Sequence, residues 1–101
     1  IFFTEDAGEE AYRIDRMLRQ LILTGALGRV AGLCFGAFTE RGDESADAPR
    51  SLDVLFGEAA AHVRGPVAAG APIGHVPDQW TLPLGARAEL SAERGLVLAV
   101  R

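Results

Sequence analysis

The sequence predicts an α/β fold, a βαβαβ core with a mixed sheet and a C-terminal β-hairpin, on three observations. Two apolar runs of strand character, one ending at Phe3 and one over residues 30–38, bracket a stretch whose apolar residues recur at helical spacing. A second helical stretch and another short apolar run follow, which repeats the strand, helix, strand order. The final segment alternates apolar and charged residues on either side of a glycine turn, as antiparallel pairs do.

Each element has its own local reason. Ile1, Phe2 and Phe3 followed by Thr4 read as the tail of a buried strand, with a turn at Glu5, Asp6, Ala7 and Gly8. Ala11, Ile14, Leu18, Leu21 and Ile22 then form one helical stripe, widened by Met17, with Glu9–Arg13 and Asp15–Arg19 as favourable i,i+4 pairs. Gly25 is the expected C-terminal stop. Residues 30–38 are nearly all apolar, which suits a parallel strand buried on both faces. Residues 39–50 have loop composition, and their acids lack the ligand spacing of a calcium loop.

Ser51 caps a second predicted helix with the face Leu52, Leu55, Phe56, Ala59 and Val63, which Gly65 and Pro66 end; His62 sits on this helix. A third strand is expected over residues 67–70 and a loop carrying His75 over residues 71–79. Ala86, Ala88 and Leu90, a turn at Glu93, Arg94 and Gly95, and an apolar return over residues 96–100 make the hairpin.

Composition narrows the function. The chain has 101 residues, 49% hydrophobic and 24% charged, an ordinary globular composition for one domain over residues 1–101. Its ten basic residues, all arginine, face fourteen acids, and the net charge of −4 argues against a nucleic-acid partner. Cys34 is alone, so no internal disulfide or cysteine zinc site is expected, and a reducing, cytoplasmic setting fits. No apolar run reaches the roughly 20 residues that span a bilayer, so no membrane association is expected. The sequence begins inside an apolar run and without an initiator methionine, and reads as a piece of a longer protein.

Candidate chemistry is sparse. Ligand crevices of open α/β sheets lie beyond the carboxyl ends of the strands, which is where Glu5 and His75 fall if strands one and three are parallel. A carboxylate on one imidazole nitrogen fixes the tautomer and leaves the other nitrogen as a base. The same pair also fits a structural contact, because no serine here has the strand-to-helix glycine setting of a nucleophile: Ser45 lies in a loop, Ser51 at a cap and Ser91 at a turn. Cys34 reads as a small buried hydrophobe. Arg13, Arg16 and Arg19 are candidates for an anionic ligand by charge only, and otherwise form a solvated helix face or a subunit contact.

Two separated strings add to this reading. The run from Glu5 through Asp6, Ala7 and Gly8 to Tyr12, Arg13, Ile14, Asp15, Arg16, Met17 and Leu18 resembles the LD-carboxypeptidases, serine peptidases grouped with muramoyltetrapeptide carboxypeptidase and the microcin C immunity peptidase. Gly74, His75, Val76 and Pro77, followed by Thr81, Leu82, Pro83, Leu84 and Gly85, is similar to that family's histidine loop and the strand after it. The resemblance covers essentially the whole chain as the family's C-terminal domain. Ala11 stands where a proline is common, and Val76, Asp78, Gln79 and Trp80 depart from the usual forms.

The resemblance implies a Ser/His/Glu triad with Glu5 as orienting acid and His75 as general base. The serine and its oxyanion hole would lie in an N-terminal domain outside these residues, so the isolated chain is expected to be inactive. The implied reaction removes the terminal D-alanine from murein tetrapeptides in cell-wall recycling, with no cofactor and no metal, in a cytoplasmic homodimer. Two alternatives remain open: an immunity-type peptidase acting on a peptidyl adenylate, and a non-catalytic dimerisation or scaffold domain.

Overall fold

The computed structural model describes residues 1–39 and 51–99. The element order is β1 (Phe2–Ala7), α1 (Ala11–Leu23), a 3-10 turn (Leu27–Arg29), β2 (Leu33–Thr39), α2 (Leu52–Ala60), β3 (Val67–Ala68), β4 (Arg87–Ser91) and β5 (Gly95–Ala99). Strands β1, β2 and β3 form a parallel sheet in that order, and β4 and β5 form an antiparallel pair. The α/β architecture with parallel and antiparallel strands and a C-terminal hairpin is thus as the sequence predicts, except that among the described residues the hairpin forms its own two-stranded sheet rather than joining the parallel one in a single mixed sheet. The loop assigned to residues 39–50 lies, beyond Thr39, outside the described residues.

Both helices pack on the same face of the sheet, because two successive crossovers of one hand in the order 1-2-3 return on the same side. Ala11, Ile14 and Leu18 of α1 and Leu55 and Ala59 of α2 share one buried cluster with Leu27, Leu33 and Phe35. Phe35 is only 1% exposed, and its ring stacks on Phe56 at 3.9 Å between centroids. Removing apolar surface of this kind from water, at about 25 cal/mol per Å², is what holds the helices on the sheet. Cys34 points to the opposite side of β2, and it and Leu90 of the hairpin are buried outside that cluster.

Local signals account for most element ends. The Glu9–Arg13 and Asp15–Arg19 pairs form, each at 3.7 Å, and Arg19 also reaches Glu58 at 3.1 Å to link α1 with α2. Gly25, at φ +75°, ends α1: its amide donates to the Ile22 carbonyl and the Ala26 amide to that of Leu21. Ser51 caps α2 by accepting a bond from the Val54 amide at 3.3 Å. In the hairpin, Leu90 pairs with Leu96 and Ala88 with Leu98.

Five further expectations are corrected. Met17 is 44% exposed rather than part of the buried stripe, because Ile14, Leu18, Leu21 and Ile22 already cover the sheet. β2 starts at Leu33, not Val30, since Val30 caps the 3-10 turn that follows Gly25 and the chain bends at residue 31 before it enters the strand. α2 ends at Ala60, so His62 lies beyond the helix; Val63 nonetheless packs against the core. β3 holds two residues rather than four. Most consequentially, Glu5 is inside β1 and not in a turn after it: pairing with β2 continues through Asp6 and Ala7, and the Gly8 amide still donates to the Thr39 carbonyl at 2.8 Å.

Candidate active site

Glu5 sits where the sheet is irregular. Thr4 pairs with Phe35 but Asp6 pairs with Phe38, so a single residue of β1, Glu5, stands opposite two of β2, Gly36 and Ala37. Such an extra residue bends its strand and re-aims side chains. In an uninterrupted strand, residues three apart face opposite sides, yet Phe35 and Phe38 both pack on Phe56, at 3.9 and 4.9 Å. The irregularity keeps both rings on the helix side and leaves Gly36 beside Glu5, whose Cβ would lie 3.2 Å from a Cβ on that glycine.

The histidine loop reaches Glu5 by running on along β2 after β3 ends. The Ala71 amide donates to the Phe35 carbonyl at 3.2 Å, and the Ala37 amide donates to the Ile73 carbonyl at 2.8 Å. Further on, the Trp80 amide closes the loop on the Pro72 carbonyl at 2.8 Å. Backbone bonds therefore fix residues 71–73, and His75 follows two residues later. Its Nδ1 lies 3.2 Å from Glu5 Oε2.

With Nδ1 donating to the carboxylate, Nε2 is left as an acceptor, and no described residue bonds to it. The side chains of His75 and Glu5 are 65% and 34% exposed, so the imidazole faces open surface. An imidazole held by a carboxylate on one nitrogen can take a proton from a hydroxyl at the other and return it to a leaving group. The described serines do not supply that hydroxyl. Ser51 Oγ accepts from Val54 and Ser91 Oγ accepts from the Arg94 amide at 3.1 Å, both turn or cap roles; Ser45 lies outside the described residues.

Residues 1–90 match the family described as the LD-carboxypeptidase C-terminal domain. The chain belongs to that family. It is 35% identical over 95 residues to a protein of Synechocystis named as a carboxypeptidase, a match over 94% of this chain and 32% of that protein. It is 34% identical over 99 residues to a murein tetrapeptide carboxypeptidase of Pseudomonas aeruginosa, over 93% of this chain and 30% of that one. Among solved structures, the muramoyltetrapeptide carboxypeptidase of Oxalobacter formigenes superposes with a TM-score of 0.77 at 35% identity, over 93% of this chain and 33% of that one. This LD-carboxypeptidase domain thus spans about a third of the length of the relatives it matches.

The other candidates of the domain fall elsewhere. α1 runs away from the carboxyl edge of β1, so Arg13 stays nearest the pair and Arg16 and Arg19 recede by about 1.5 Å per residue along the axis. Arg13 is already engaged, with Nε donating to Tyr12 Oη at 3.1 Å and its guanidinium 3.7 Å from Glu9. A groove of about 500 Å³ lies on the outer face of α1 between Tyr12, Arg13, Arg16, Met17 and Gln20; neither Glu5 nor His75 lines it. Trp80 is 52% exposed at the neck of the histidine loop. Burial pushes the Cys34 thiol above its ordinary value, which keeps it protonated and unreactive. Among the described residues no three His, Cys, Asp or Glu side chains converge as metal ligands, and no helix is long and apolar enough to cross a membrane.

Sequence reasoning missed the means by which the pair is brought together, namely the irregularity at Gly36 and the Ile73 carbonyl that seats the loop. A signal was present in the glycine inside an otherwise apolar strand, which marks a bulge or a close approach of backbone.

Proposed function

We propose that this domain is the acid and base half of a serine-type LD-carboxypeptidase that removes the terminal D-alanine from murein tetrapeptides during cell-wall recycling. Glu5 holds and orients His75, and His75 Nε2 activates a serine supplied by polypeptide outside these 101 residues, together with the oxyanion donors. The observation that carries the reading is the 3.2 Å contact between Nδ1 and Oε2 beside an open Nε2. The names of the relatives supply the substrate class: the Pseudomonas protein is named for murein tetrapeptide and the Oxalobacter one for muramoyltetrapeptide.

The test is kinetic, in a full-length protein that joins this domain to the serine. His75→Ala and Glu5→Gln are each expected to lower turnover of a murein tetrapeptide by roughly 10³- to 10⁴-fold, with the double variant little worse than the worse single one, because the members act as a unit. Near wild-type turnover in Glu5→Gln removes Glu5 from the machinery. These 101 residues alone are expected to release no D-alanine, since a base without a nucleophile forms no acyl-enzyme. Release that His75→Ala abolishes places the nucleophile in this chain and overturns the proposal.

A further inference from the structure

Two glycines border the Glu5–His75 pair, and they differ in kind from others in the chain. Gly8, Gly70, Gly85 and Gly95 adopt positive φ, but a Cβ on any of them would meet nothing within 4 Å. Their requirement is conformational. A Cβ on Gly74 would instead lie 2.6 Å from Glu5 Oε2, 3.1 Å from Glu5 Cβ and 3.2 Å from Glu5 Cδ, so the whole Glu5 side chain lies along the bare backbone of that residue. Gly74 also has φ +118°, where L side chains are strained. Gly36 has no such φ, yet a Cβ there would stand 2.6 Å from the Ile73 carbonyl oxygen and 3.2 Å from Glu5 Cβ. Its requirement is purely steric.

We propose that Gly36 and Gly74 are positioning residues for the pair, forming from two strips of bare backbone a slot that holds Glu5 in the rotamer aiming Oε2 at His75 Nδ1. Gly36 acts on the loop: the absent side chain admits the Ile73 carbonyl to the Ala37 amide, and that bond sets where residue 75 starts. Gly74 acts on the carboxylate: the absent side chain leaves the space the Glu5 chain occupies. Both sit at the sheet irregularity, where Glu5 faces two residues of β2 rather than one. Packing by large groups is not what orients this acid, since its side chain is a third exposed. The inference rests on the reading of Glu5 and His75 as acid and base.

The readout is the tautomer of the His75 ring, from long-range ¹H–¹⁵N spectra of the 101-residue chain at a pH where the ring is neutral. A carboxylate acceptor holds the Nδ1–H form, whereas a free imidazole prefers Nε2–H. Wild type and Gly70→Ala are expected to show Nδ1–H, because Gly70→Ala brings the backbone strain of a positive φ without obstruction. Gly74→Ala and Gly36→Ala are expected to revert to Nε2–H, and Gly36→Ala should also speed hydrogen exchange at the Ala37 amide. Glu5→Ala separates the two layers. Nδ1–H surviving in Glu5→Ala overturns the pairing itself; reversion in Glu5→Ala with Nδ1–H retained in Gly74→Ala overturns the glycine proposal alone. Should Gly74→Ala fail to fold, Gly36→Ala, which adds no φ strain, decides on the same spectrum. In the full-length enzyme Gly36→Ala is expected to lower kcat by at least tenfold with KM for the tetrapeptide unchanged, and a rise in KM with kcat intact overturns the positioning role.

Discussion

Leu33, Cys34 and Phe35, in the first half of β2, are 0–2% exposed and pair residue for residue with Phe2, Phe3 and Thr4, whereas Gly36 and Ala37, one step further along the same strand, share a single partner in β1. The first half is held by volume: Leu33 and Phe35 fill the space under the helices, and the pairing there is regular because large side chains on a fixed face tolerate no slip. At Gly36 the strand is held by the removal of volume. A missing Cβ lets a loop carbonyl in, the strand gains a residue, and an acid and a histidine 70 positions apart in sequence meet. Within seven residues the chain passes from a region built for stability to one built for access. Irregular pairing and close backbone approach occur together there, at the place where Glu5 and His75 meet.

Substitutions sharpen that contrast. The largest expected effect is in the packed half. Phe35→Ala removes a ring stacked on Phe56 and should cost about 3–5 kcal/mol in urea unfolding. In the molecules that remain folded, the His75 tautomer should be unchanged; a spectrum matching that of Gly74→Ala would show that the two halves are not separable.

A smaller effect is expected at Cys34, the packed half's only ionisable group. Burial raises its folded value above the ordinary 9.0, so its contribution to stability is fully present below that pH and is lost as pH rises through the folded value. Urea midpoints at about pH 8 and about pH 10 should therefore fall further in wild type than in Cys34→Ala. An alkylating reagent should label the thiol only after unfolding. Equal pH dependence in the two proteins, or rapid labelling of the folded one, would place Cys34 outside the dry side of the sheet.

The smallest effect calibrates the other two. Ser51→Ala removes the cap of α2 without touching either half of β2, and should cost about 1 kcal/mol with the His75 spectrum unmoved. A change in that spectrum would mean that α2 transmits to the histidine loop through Phe56 and Phe38, which touch at 4.9 Å between centroids.

The amino-acid sequence by itself determined the elements and their faces, because those follow from period and punctuation. Ile14, Leu18, Leu55 and Ala59 recur at helical spacing and are buried; Gly25 and Ser51 end and begin helices by local backbone chemistry; Leu90 and Leu96 alternate into a hairpin. Glu5 and His75 were legible as a pair because parallel strands send their carboxyl ends to one edge. Only the tertiary structure decided that β1 continues through Glu5, that residues 71–73 bond along β2 past the end of β3, and that Met17 faces outward. Those outcomes depend on which backbone groups lie within bonding reach of which others across the sheet. No local pattern encodes that distance, since the same glycine that would merely loosen an isolated strand becomes, once the Ile73 carbonyl arrives beside it, the residue that makes the contact fit.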